Sequence, residues 1–189
     1  MPALEQEFRL RLASTEDIPA LREVIDVSVR VLQRADYSAE QLEAALGTAY
    51  GVDTQLIVDG TYYVVETGGS SGEKRIAACG GWSKRKTLYG SDHGPYRDSE
   101  LLDPARDAAK IRAFFVHPEW VRRGIATLIL RTCEDAAYAQ GFRRLEMGAT
   151  LTGVPMYAAR GYVKDETIEV PLPNGLSLSV VKMSKRLAD

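Results

Sequence analysis

"HPEWVRRGIATLIL", residues 117–130, decides how this chain is read. Upstream, "KIRAFFVHP" (110–118) has the apolar run of a buried strand and is stopped by Pro118. Downstream of Gly124, Ile125, Leu128, Ile129, Thr132, Cys133, Ala136 and Ala137 recur at helical spacing, until Gly141 offers a stop. The stretch is therefore a strand, a tight turn and a helix. The first N–H groups of a helix lack internal partners and carry partial positive charge. Gly124 has no side chain to block an approaching anion, Ala126 keeps the entrance small, and Arg122 and Arg123 add charge. That combination suits a pyrophosphate. The Gly-Lys-Ser/Thr of a Walker loop is missing, and so are the further glycines of a dinucleotide fingerprint. From the residues alone, two readings stand: an anion loop, or a solvated arginine pair with Gly124 serving only the turn.

Outward from this stretch the pattern is mixed. "FRLRLA" (8–13) alternates as a half-buried strand. Ser14 with Asp17 predicts a helix start, and Ile18, Leu21, Val24, Ile25, Val31 and Leu32 mark its buried face. Ser38 and Gln41 predict a capping box for a second helix that stops at Gly47. "TQLIVDG" (54–60) and "TYYVVET" (61–67) read as two strands of a hairpin turning at Asp59-Gly60. "GGSSGEK" (68–74) reads as a turn, and "RIAACGGW" (75–82) as a strand bent at Gly80-Gly81. Residues 83–108 are polar and aperiodic, which predicts a long loop. Beyond the central helix come strands at 142–150, after a short helix in "GVPMYAARGYV", and at 176–187. The order β-α-α-β-β-β-β-α-β-α-β-β predicts a mixed α/β fold with a partly antiparallel sheet.

A length of 189 residues suits a single domain over 1–189, with 83–108 as a loop insertion. The net charge of −2 argues against nucleic acid, which calls for a basic surplus. No apolar run approaches the ~18 residues of a membrane span. "MPALEQEFRLRLAS" lacks an apolar signal core, so a cytoplasmic protein is expected. Cys79 and Cys133 sit in apolar surroundings and read as buried, reduced thiols. His93 and His117 have no third ligand at metal spacing, so no metal is expected.

The loop resembles the phosphate motif of the GNAT superfamily of acetyl-coenzyme A-dependent N-acyltransferases. That motif is Gln/Arg-x-x-Gly-x-Gly/Ala after a strand ending in Val-x-Pro. Here Val116-His117-Pro118 ends the strand, and Val121-Arg122-Arg123-Gly124-Ile125-Ala126 forms the loop, with Val121 at the Gln/Arg position. "PMYAARGYV" (155–163) is similar to the family's aromatic-Tyr-x-x-x-Gly-aromatic segment and puts Tyr157 on the tyrosine. The asparagine common before that helix is absent, and Thr150 and Thr152 stand nearby. The order of elements also matches over almost the whole chain.

The resemblance implies a mostly antiparallel central sheet flanked by helices and splayed at its fourth and fifth strands. It implies acetyl-coenzyme A as co-substrate and a small-molecule primary amine as acceptor, attacking directly in a ternary complex. Main chain near Phe115 and Val116 would pair with the pantetheine arm, and Arg122, Arg123, Gly124, Ile125, Ala126 and Thr127 would hold the pyrophosphate. A backbone N–H of that strand would stabilise the oxyanion. Tyr157 would act as the acid towards the departing thiolate. For the base, His117, Glu146 and water remain open. The basic loop 83–108 reads either as an acceptor-binding lid, favouring an acceptor with a carboxylate or phosphate, or as a solvated segment or dimer contact. A protein or peptide N-acetyltransferase and a non-catalytic coenzyme A sensor are the alternatives, and a homodimer is compatible with the resemblance.

Overall fold

The computed structural model describes residues 8–68 and 73–188. The turn expected at 68–74 lies largely outside them. Seven strands form one sheet in the order β1-β2-β3-β4-β5-β7-β6. These are β1 (Phe8–Leu12), β2 (Tyr62–Gly68), β3 (Lys74–Ser83), β4 (Ala109–Val116), β5 (Arg144–Thr150), β6 (Val163–Pro171) and β7 (Ser177–Arg186). Every pairing is antiparallel except β4 with β5. That ladder holds only Ala109 opposite Leu145 and Lys110 opposite Glu146, after which the strands part. The mixed, splayed sheet expected from the sequence is present.

Helices α1 (Ile18–Leu32), α2 (Ala39–Ala45), α3 (Thr54–Val58), α4 (Ile125–Ala139) and α5 (Val154–Ala158) cover the sheet. Alternation along the strands divides the core. Val64 and Cys79 join Leu21, Val24 and Val29 of α1 in one cluster. Val65 and Ala77 join Ile129, Leu130 and Cys133 of α4 in another. The capping residues act as predicted. Ser14 N–H donates to Asp17 Oδ2 at 2.7 Å, and Ser38 and Gln41 exchange bonds of 2.9 and 3.1 Å. Both cysteines are buried free thiols. Among the described residues no helix is long and apolar enough to cross a membrane.

One element is different from its expectation. Residues 54–58 form the helix α3, so the sheet has seven strands and Asp59-Gly60 is no hairpin turn. Asp53 caps this helix by accepting from Gln55 N–H at 3.2 Å. Asp92, from the long loop, accepts from Thr54 N–H at 2.9 Å. At the other end Gly60 has φ +69°, and Thr61 N–H donates back to Leu56 O at 3.0 Å. Asp-Gly here closes a helix, with the glycine in the left-handed conformation that ends one. Five apolar-rich residues show no decisive period, so the caps decide the outcome.

Candidate active site

A cleft of about 680 Å³ opens where β4 and β5 part. Its walls include Ala113 to Val116 of β4, Met147 to Thr150 of β5, Arg122 and Ala126 at the start of α4, and Tyr157 of α5. Beyond Lys110, β4 has no partner on its β5 side, so its main chain faces this opening.

β4 is also irregular on its other edge. Gly81 pairs with Arg112 and Cys79 with Phe115, so Ala113 and Phe114 together face Gly80. Such a bulge bends the strand and takes residues out of the ladder. Ala113 has φ +55°, which is costly for a side-chain-bearing residue. Two contacts hold it. Tyr62 OH donates to Ala113 O at 3.1 Å, and the Phe114 ring lies over Gly80, where an added Cβ would come within 2.7 Å of it. The sequence marked the bend at Gly80-Gly81 on β3, but not the distortion on β4 that the small glycine allows.

The loop before α4 makes two left-handed turns, at Arg122 (φ +61°) and Gly124 (φ +75°). The first helical bond of α4 runs from Leu128 N–H to Gly124 O, at 2.9 Å. The N–H groups of Ile125, Ala126 and Thr127 precede it, as at any helix start. Ile125 buries its side chain in the core and so fixes the helix end. A Cβ at Gly124 would meet nothing within 4 Å, so the space above the loop is open. Arg160, after α5, donates to Thr127 Oγ1 from Nε at 3.3 Å and Nη2 at 3.1 Å. It brings a third arginine to this end, and no local sequence pattern announced it.

Tyr157 is 7% exposed and lines the cleft. Its ring meets Phe114 edge-on at 6.2 Å and Tyr162 at 6.0 Å. Burial, then the nearby Cys133, pushes its pKa well above the tyrosine value. The hydroxyl therefore keeps its proton at neutral pH and is available as a donor. Phe115 and Val116 also line the cleft, with Val121, Arg122 and Ala126 at its edge.

Neither candidate base reaches it. His117 Nδ1 accepts from Glu119 N–H at 3.2 Å, its ring lies tilted against Trp120 at 4.7 Å, and it lines a separate depression beside Arg11 and Glu73. Glu146 is held by Lys110 and by Lys182, the latter at 3.5 Å, beside the two-residue β4–β5 ladder. Among the described residues no carboxylate and no imidazole lines the cleft.

The long loop turns its basic side chains elsewhere. Arg85 pairs with Asp59 at 2.7 Å, Lys86 with Glu100 at 2.6 Å and Arg97 with Asp53 at 3.2 Å. Only Leu88, Tyr89 and Gly90 of this loop line the cleft. The expectation that its charges greet an acidic acceptor is therefore corrected: those charges are spent on tying the loop down. The far wall includes Leu32 and Gln33 at the end of α1, Tyr50, and Leu178 and Val180 of β7. Sequence spacing cannot join such distant segments.

Residues 102–187 match the acetyltransferase (GNAT) domain family. No curated protein sequence matches the chain. Among solved structures, a GCN5-related N-acetyltransferase from Rhodopseudomonas palustris is 24% identical with a TM-score of 0.67, covering 95% of each chain. The PaiA N-acetyltransferase of Thermoplasma acidophilum, in complex with coenzyme A, is 13% identical with a TM-score of 0.63, covering 95% of this chain and 99% of that one. A putative acetyltransferase from Salmonella typhimurium, with its cofactor acetyl-CoA, is 15% identical with a TM-score of 0.60, covering 97% and 95%. These likenesses show a shared fold. With the parted β4 and β5 and the left-handed loop at Gly124, the chain has the fold of these acetyltransferases, and its C-terminal part, 102–187, resembles the GNAT domain in sequence.

Proposed function

We propose that this protein transfers the acetyl group of acetyl-CoA to the primary amine of a small molecule, by direct attack in a ternary complex, within one domain spanning residues 1–189. One observation carries the reading. The unpaired edge of β4 runs through a single cleft between the N-terminus of α4 and Tyr157.

The cleft fits the co-substrate. The β4 main chain at Phe115 and Val116 has free edge positions for an amide-bearing arm. Arg122, Arg123, Gly124 and the N–H groups of Ile125, Ala126 and Thr127 suit a pyrophosphate. When bound, acetyl-CoA supplies an acetyl group on a thioester. The nitrogen gains the acetyl carbon, the carbon–sulfur bond breaks, and the sulfur leaves with the electron pair. Tyr157 gives that sulfur a proton and regains one from the nitrogen side. Ala113 and Phe114, outside the ladder, offer peptide N–H groups for the oxyanion.

Thermal unfolding tests the reading. At about 100 times its dissociation constant a ligand stabilises a fold by about 2.7 kcal/mol. Acetyl-CoA should raise the midpoint, and AMP and NAD should not. No rise with acetyl-CoA on folded protein overturns the proposal.

A further inference from the structure

The acceptor half of the cleft is nearly without charge. Arg112 and Arg122 are the only charged side chains among the described residues lining it. Arg122 stands at the α4 end. Arg112 is sealed by Asp53 Oδ2 at 2.8 Å, Thr87 O at 2.9 Å and Gly90 O at 2.5 Å. On the α1 side of the sheet the wall is Leu32, Tyr89, Val170, Leu178 and Val180. In that same wall Gln33 Oε1 and the neighbouring Tyr50 hydroxyl are buried without a hydrogen-bond partner. An ammonium group entering here would lose its water and find no counter-charge, a heavy penalty for any ion.

We propose that the acceptor is an apolar primary amine admitted as its free base, with Gln33 Oε1 accepting one of its N–H bonds. This rests on the acetyl-transfer reading above. A neutral amine also closes the proton balance without an enzyme base. As the carbon–nitrogen bond forms the nitrogen releases one proton, and as the carbon–sulfur bond breaks the sulfur takes one up. Besides the two arginines, the titratable groups facing this space are Tyr50 beside α2, Tyr89 of the long loop and Tyr157 of α5. Burial raises all three tyrosines, so they stay neutral in the working range. Behind the wall stand Tyr37 against Tyr50, Asp53 paired to Arg112, and Cys133 and Tyr162 by Tyr157. None of these supplies a base.

Two measurements test this. The first is calorimetric titration of benzylamine into the CoA-saturated protein at pH 7, in two buffers of different ionisation enthalpy. One proton should be released per amine bound, and binding without release overturns the inference. The second compares turnover of benzylamine and hexylamine with that of putrescine and glutamate. The apolar pair should be preferred, and kcat/KM should climb about tenfold per pH unit up to each amine's own pKa, with no break set by the enzyme. Gln33→Met should raise the amine KM and leave CoA affinity unchanged; an unchanged KM removes Gln33 from the site. Preference for putrescine or glutamate overturns the free-base acceptor but leaves acetyl transfer standing. No turnover of any of the four, with acetyl-CoA bound, overturns the acceptor assignment. Failure to bind acetyl-CoA at all is instead the failure of the underlying reading.

Discussion

Arg112 Nη2 donates to Asp53 Oδ2 at 2.8 Å, and the two side chains are 2% and 1% exposed. This buried pair ties the residue before the β4 bulge to the cap of α3. Arg97 of the long loop reaches the same carboxylate. Burial lowers the Arg112 pKa and Asp53 acts to restore it, so the arginine depends on its partner. Asp53→Leu should destabilise the fold by about 3–5 kcal/mol, since it strands a buried charge. Tm should drop on the order of 10 °C, and Asp53→Leu with Arg112→Met should recover part of that. A single variant as stable as wild type would show that the pair contributes nothing.

Gly124 can be tested without crowding, because an added Cβ meets no atom within 4 Å. What a side chain costs there is backbone strain at φ +75°. Gly124→Ala should lose about 1 kcal/mol of stability. Gly124→Val should also cover the helix N–H groups and weaken CoA binding by roughly tenfold or more, about 1.4 kcal/mol. Titration calorimetry reads both the fold-competent fraction and the affinity. Unchanged affinity in the valine variant would place the phosphates elsewhere.

Removing the Tyr157 hydroxyl keeps the ring that packs on Phe114 and Tyr162. Tyr157→Phe should therefore leave Tm and CoA affinity near wild type while kcat falls by roughly 10²- to 10⁴-fold, the usual worth of a positioned acid. Single-turnover rates decide the matter. Full activity in the variant would make Tyr157 a packing residue.

His117 gives the fold a pH dependence that catalysis should not share. Burial lowers its pKa below the ordinary 6.5, Arg75 lowers it further, and Glu119 opposes them. As pH falls, the unfolded chain takes up its proton first. The stability linked to the neutral ring is thus complete above 6.5 and is lost as pH falls towards the folded value. His117→Phe should flatten the loss of Tm between those limits. An identical profile in the variant would move the effect to another group.

Local pattern was enough wherever one segment fixes its own structure. The 3.6-residue period drew α1 and α4, and the reciprocal bonds of Ser38 and Gln41 are written three residues apart in the chain. A turn at Gly124 followed from its place between a strand end and an apolar helix, while its left-handed φ of +75° is seen only in the structure. The same method failed at 54–60, where Asp-Gly serves a helix end as readily as a hairpin. The deciding contact is Asp92, from a loop 38 residues away.

The chain's own periodicity, then, settles most of the elements and the turn before α4, because the forces that shape them act within one or two turns of backbone. Packing decides the rest. The β4 bulge exists because Gly80 on the neighbouring strand leaves room for the Phe114 ring. Arg85 and Arg97 of the long loop are paired with Asp59 and Asp53, which only folding brings near it. The α1-side wall of the cleft joins residues from Leu32 to Val180, and its lack of charge is a property of the assembled surface that no single stretch contains.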